Sequence, residues 1–378
     1  MNHNLNKTRL AYIDNLKALL IIFIVLVHVA CTYSGMGRWY YMEQPHGLES
    51  FPLYFFLSLM LVTQAYSMSL FFMIAAYFIP GSLEKKGIKN FIADRFYRLG
   101  IPTLIYIFLI NPVCEKLSHP DMKFGARFLK GITTFKFLGW TGPLWFALVL
   151  LIFTLIYLFC KKWLDILVRK YSFAIITKNI CLLIALITTT AFAIRLIFPI
   201  GSAVLNLQFC FFAAYIVMFT LGIVAYQKDL FSKIDYRTGK KWLITSLAFG
   251  VPAWILVMHF TVLATNDISP LVFGGWNLLA FGYAFWESFF CVAIIIALIG
   301  IFKEKFNTQN SLQKFLSANA FGVYVFHAPV LVATSVLLKN IQWSPLLKFF
   351  VVACVSISAS FCVSHLIRKV PMLNKIFS

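Results

Sequence analysis

The sequence predicts an all-α protein, a polytopic integral membrane bundle of about ten transmembrane helices with both termini in the cytoplasm. Of its 378 residues, 61% are hydrophobic and only 12% charged, with mean hydropathy +0.84, a composition typical of a multi-pass membrane chain. The apolar residues fall into ten blocks, each near the roughly 20 helical residues that span a hydrocarbon core of about 30 Å. Of 33 Lys and Arg residues, 24 gather before or just inside the first block, between alternate pairs of blocks from the second onward, and after the last. That bias puts those ends inside. The blocks are longer than strands and lack period-two alternation, which argues against a barrel. The formal charge of +20 is therefore topology and contact with anionic lipid. It calls for no nucleic acid.

The first block, 14–34, carries Asp14 and Lys17 at its entrance and His28 within its apolar run. Polar residues at those positions argue for a retained helix rather than a cleaved signal. An outer loop, GMGRWYYMEQPHGLES at 35–50, leads to the second block, 53–79, and then to the basic stretch KKGIKNFIADRFYR at 85–98. The third block is 101–117, followed by residues 118–140, which fall outside by this topology yet hold Lys123, Arg127, Lys130 and Lys136. Blocks at 141–160, 178–198 and 208–226 follow, the fifth enclosing Arg195. The seventh, 242–263, holds His259, and the eighth, 277–302, holds Glu287. The ninth, 318–338, carries His327 two residues before Pro329, and the tenth, 345–367, carries His365.

These spans leave little room for a soluble domain, so residues 1–378 read as one transmembrane domain. The eight cysteines have no metal-type spacing and mostly lie inside spans. They read as small core hydrophobes, and no metal site is expected.

Lys17 and His28 lie eleven residues apart, just over three helical turns, so they share one face roughly 16 Å from end to end. An ionisable group within the membrane is costly unless it faces protein or water, so His28 should point into the bundle. The alternative is a neutral core histidine with a hydrogen-bond partner on another helix. Glu287 is similarly placed: it could orient the His28 ring, move a proton, bind a substrate, or pair with Arg195 or Lys17. Asp14 suits a helix cap or a local pair with Lys17. The His327 imidazole could bond backbone that Pro329 leaves unpaired, or a neighbouring helix.

The segment YIDNLKALLIIFIVLVHV, with Lys17 and His28 separated by ten residues, resembles the first helix of the bacterial membrane acyltransferase-3 family. FFMIAAYFIPGSLEKKGIKNFIADRFYRLGIP at 71–102, with Arg95 and Arg98 as RxxR, GPLWFALVLL at 142–151 and FGVYVFHAPVLV at 321–332 resemble further family stretches in the same order. The resemblance implies a multi-pass enzyme that transfers an acyl group, commonly acetyl from a coenzyme A thioester, to a carbohydrate or other acceptor. Some relatives carry an additional helix and a fused extracytoplasmic hydrolase-like domain, for which this sequence has no room. That leaves open a separate extracytoplasmic partner protein.

On this reading, acyl-CoA is a co-substrate and no cofactor is permanently bound. Lys17, Arg95 and Arg98 are candidates for its phosphates, since an arginine fork suits phosphate oxygens. A basic cytoplasmic loop lying on the membrane would show the same residues. His28 is the candidate general base, because an imidazole suits proton transfer near neutral pH, with Glu287 as its catalytic companion. Direct transfer and a transient acyl-histidine are both open. His46, Trp145, Arg195 and His327 are candidates for substrate binding; aromatics at a membrane boundary also serve as belt residues. The expected protein is an O-acyltransferase of the bacterial cytoplasmic membrane. Its donor is acetyl by default, with succinyl second, and its acceptor a hydroxyl of an envelope glycan, glucan or glycolipid. The rival is a proton-coupled transporter or exporter, in which Lys17, His28, Arg195 and Glu287 form a relay; the inverted repeats common in that class are not seen.

Overall fold

The computed structural model describes residues 10–43, 48, 50–121, 124–171, 174–263 and 270–377. Among them, ten helices are long and apolar enough to cross a membrane: α1 Ala11–Ser34, α2 Phe51–Tyr77, α3 Ile79–Ser118, α4 Gly142–Lys170, α5 Thr177–Arg195, α6 Phe209–Gln227, α7 Tyr236–Phe260, α8 Leu278–Lys305, α9 Ser311–Leu337 and α10 Pro345–Arg368. No strand occurs among the described residues.

The third helix departs most from expectation. The sequence placed a basic loop before a span starting at 101, but helical structure runs through the whole stretch, broken at Gly87, whose φ of 72° and ψ of 163° turn the chain aside. Positive φ is open to glycine at little steric cost. The basic stretch is helical because its charges lie on a surface arm and pair locally: Lys86 Nζ is 2.8 Å, and Arg98 Nε 3.2 Å, from Asp94. For a related reason α4 continues past 160 to Lys170, where Lys161 pairs with Asp165 one turn on. Residues 118–140 also contain a helix, Phe124–Thr133.

Proline explains three widened turns. The π-helical segments Phe96–Gly100, Tyr106–Ile110 and Ser246–Gly250 each end two residues before a proline, Pro102, Pro112 and Pro252. A proline ring inside a helix loses one hydrogen bond and collides with the carbonyl one turn back; a wider turn relieves that collision.

Two apolar clusters fill the bundle. Residues of α1, α2, α4 and α6 contribute to both, which makes these helices the shared wall. The apolar window of α8 is 72% buried and that of α7 only 22%, so α8 is central and α7 peripheral. Close approach depends on missing side chains: Gly222 of α6 lies against the Met73 carbonyl of α2, and a Cβ on Gly239 of α7 would be 3.0 Å from Gly300 Cα of α8.

Polar ties lock the two ends. Where α1 begins, Asn15 Nδ2 donates to the carbonyls of Phe306 (2.8 Å) and Thr308 (2.9 Å), and Gln309 Nε2 donates back to Asn15 Oδ1 at 2.9 Å. Where α1 stops, Lys348 of α10 pairs with Glu43, and Tyr40 donates to Asn111 Oδ1 of α3 at 2.7 Å. Burial pushes the Tyr40 hydroxyl well above the usual phenol range, so it keeps the proton it donates.

Gly222→Ala should lower stability by about 1–3 kcal/mol by forcing a methyl into the Met73 carbonyl. Thermal unfolding of the purified protein in detergent should then begin several degrees lower; an unchanged curve would show that α2 and α6 separate freely.

Candidate functional site

Two histidines 299 positions apart meet inside the bundle. His28 Nδ1 of α1 lies 3.0 Å from His327 Nε2 of α9. The other ring nitrogen of His327, Nδ1, lies 3.1 Å from the Val323 carbonyl and 2.9 Å from that of Tyr324. These are the carbonyls one turn back from the ring itself. They are not the Val325 carbonyl that Pro329 leaves without its usual partner.

This arrangement decides where the protons sit on the neutral rings. A carbonyl oxygen only accepts, so His327 Nδ1 carries hydrogen and His327 Nε2 is a lone pair. His28 Nδ1–H therefore donates to His327 Nε2, and His28 Nε2 is left with its lone pair. A second-residue hydrogen bond that selects the tautomer is what a histidine base requires.

The surroundings are open on one side. His28 is half-buried and borders a cavity of about 450 Å³, counted with its open mouth. Thr63, Gln64 and Ser67 of α2 form a polar wall, with Trp145 of α4 and Tyr324 of α9 among the other lining side chains. Gln64 Nε2 donates to Tyr215 Oη at 2.7 Å, and the Tyr324 hydroxyl donates to the Pro143 carbonyl. Trp39, in the segment after α1, stacks on His28 with ring centres 4.2 Å apart and 19° between planes.

Arg195 and Glu287 form their own buried pair, with Arg195 Nη2 on Glu287 Oε2 and Arg195 Nε donating to the Cys210 carbonyl at 3.2 Å. The guanidinium also lies 5.5 Å from the Phe211 ring centre and 5.4 Å from that of Tyr283. Of the partners considered for Glu287, the structure thus has Arg195 rather than His28. Arg195 Nη1, Glu287 Oε1 and the Tyr283 hydroxyl are buried without a hydrogen-bond partner.

At the opposite end of α1, Lys17 lies 3.5 Å from Asp14 and 5.1 Å from the Phe78 ring centre. Arg95 rests its guanidinium 4.8 Å from the Phe91 ring centre, and its Nε is buried without a partner, whereas Arg98 is exposed and held by Asp94. His46 lies outside the described residues. His28, His327 and Trp145 therefore belong to one neighbourhood, Arg195 and Glu287 form a separate pair, and Lys17, Arg95 and Arg98 lie toward the far end. No group of three metal-ligating side chains occurs among the described residues.

Sequence reasoning did not single out Trp39, Gln64, Tyr324 or Tyr215. The stripe Thr63, Gln64 and Ser67 within an apolar helix was the available signal, since such groups need a partner or a cavity at that depth.

The family model for acyltransferase-3, described as an acyltransferase domain, matches residues 10–365. No curated protein and no solved structure matches the chain.

Replacing Arg195 by Met should cost about 3–5 kcal/mol by leaving Glu287 buried without its cation, whereas the double change Arg195→Met/Glu287→Leu should recover most of that loss. Unfolding by SDS in mixed micelles measures both. Equal damage in the single and double variants would mean that the pair does not act as a unit.

Proposed function

The chain belongs to the acyltransferase-3 family, and on that premise we propose that it is an O-acyltransferase of the bacterial cytoplasmic membrane, with both termini in the cytoplasm. It takes acetyl by default, or succinyl, from cytoplasmic acyl-CoA. The acceptor is a hydroxyl of an envelope glycan, glucan or glycolipid. The observation that carries the reading is the His28–His327 hydrogen bond, which leaves a lone pair on His28 Nε2 beside a cavity with a polar wall.

In this reading the acceptor hydroxyl gives its proton to His28 Nε2 as its oxygen attacks the thioester carbonyl carbon. The carbon–sulfur bond breaks, and the proton passes from His28 to the departing thiolate. The products are an ester and free coenzyme A. His327 keeps the tautomer: its Nε2 accepts from His28 Nδ1 throughout, and its own proton stays on Nδ1, directed at the Val323 and Tyr324 carbonyls. A general base of this kind contributes about 10²–10⁴ in rate.

The donor phosphates meet Arg95 and Arg98, with Lys17 at the same end of the bundle. Arg95 suits this role because its Nε is buried without a partner, a position an anion would satisfy. From there the acyl arm runs along α1 toward the cavity, whose lining includes Ile24 and Val27 on the approach to His28. Trp145 is the apolar wall against which the acceptor rests, and Arg195 Nη1 with Glu287 Oε1 supplies polar atoms for one of its hydroxyls.

The test is turnover of labelled acetyl-CoA by the detergent-purified protein, with crude envelope extract as acceptor and no ion gradient. Wild type should release CoA and label the extract. His28→Ala should lower kcat by about 10²–10⁴, and His327→Leu by about 10² or more through loss of the tautomer. A correctly folded His28→Ala protein with wild-type turnover would sink the mechanism. Absence of any acetyl-CoA consumption by wild type would favour transport.

Arg95→Gln should instead raise the KM for acetyl-CoA about 10-fold, the worth of a charged hydrogen bond, with kcat within about twofold. A fall in kcat at unchanged KM would remove Arg95 from the donor site.

A further inference from the structure

A histidine that accepts a proton becomes a cation, and something must stabilise that charge in a membrane interior. In a serine-protease triad a buried carboxylate does so. Here the hydrogen-bond partners of His28 are the neutral ring of His327 and the Ile24 carbonyl one turn back, which orient the ring but carry no opposite formal charge. The lining side chains of α2 and α4 include Thr63, Gln64, Ser67, Met68, Pro143 and Trp145, none of which titrates near neutral pH. From α9 the facing groups are His327 and the Tyr324 hydroxyl, the latter donating to a carbonyl. In the segment after α1, Tyr40 is engaged by Asn111, and the nearest carboxylate in that segment, Glu43, is matched by Lys348.

What does face His28 is the indole of Trp39, 4.2 Å away and nearly parallel. We propose that Trp39 is a positioning residue for the transfer step, its π face stabilising the His28 imidazolium that forms as the acceptor hydroxyl gives up its proton. The inference rests on the acyl-transfer reading above. An aromatic face attracts a cation through its quadrupole, and more strongly when water is excluded. The neutral imidazole lacks that term. The stack is therefore worth more in the transition state than in the ground state, which is the condition for it to raise kcat.

The chain around Trp39 is built to hold this face in place. On one side Gly37, at φ +83°, packs close to Cys31, where a Cβ would lie 3.2 Å from the sulfur. On the other, Tyr40 is fixed to α3 through Asn111 and lies 3.0 Å from the Tyr106 hydroxyl. Glu43 N–H then donates to the Thr32 carbonyl at 2.9 Å, and its carboxylate pairs with Lys348. The indole Nε1 is buried without a hydrogen-bond partner, so the ring is located by its face and its flanking anchors. That face is occupied by His28 and is closed to a sugar ring.

The experiment uses the full chain in detergent, acetyl-CoA as donor and envelope extract as acceptor. Tryptophans with one to four ring fluorines are introduced at position 39 alone, alongside Trp39→Phe. Fluorine drains the π face with little change in shape. The kcat should fall stepwise with fluorine number, by roughly 3- to 30-fold across the series, while the KM for acetyl-CoA stays within about twofold. A purely structural role would lower the amount of folded protein and leave kcat per folded molecule indifferent to fluorine. Wild-type turnover with a flat fluorine series overturns the proposal and leaves acyl transfer standing. A wild-type protein that releases no CoA overturns both.

Discussion

Polar groups inside a bilayer have no water to turn to, and the architecture of this bundle follows from that constraint. Three of its buried charged or titratable side chains find partners in distant segments. His28 finds His327, Arg195 finds Glu287, and Lys348 finds Glu43. Each pairing joins segments distant in the chain, so the polar contacts select which helices are neighbours. Apolar packing, which is nearly as favourable against lipid as against protein, cannot make that selection alone.

The same constraint leaves these groups differently enclosed. Arg195 is enclosed by Glu287, a carbonyl and two aromatic rings. His28 has one edge engaged and one face stacked, and borders open space. Of the intramembrane ionisable residues noted in the sequence, it is the one that lines the cavity. The Lys348–Glu43 pair anchors the segment that carries Trp39.

Backbone strain is handled locally by the same logic. Three prolines within α3 and α7 are each preceded by a widened turn, whereas Pro329 lies within a continuous α-helix, just beyond His327, whose ring nitrogen bonds carbonyls at 323 and 324. The proline and histidine of HAP thus act on neighbouring parts of one helical turn, one leaving a carbonyl without its usual donor and the other supplying a donor to two carbonyls nearby.

The sequence by itself determined the class of fold and the count of spans, because apolar block length and the 3.6-residue period act locally and answer directly to bilayer thickness. It also marked His28, Glu287, Arg195 and His327 as side chains needing partners, since their cost in lipid depends on residue type and depth alone. It did not show that α3 begins at Ile79 or that α4 runs to Lys170, because surface charge pairs sustain a helix without an apolar block. Nor could it match the partners. Whether Glu287 serves His28 or Arg195, and whether Trp39 faces lipid, a sugar or an imidazole, depends on distances between segments up to 299 residues apart. Only tertiary packing sets those distances, and a hydrogen bond or ring stack survives only within a few tenths of an ångström of its proper geometry.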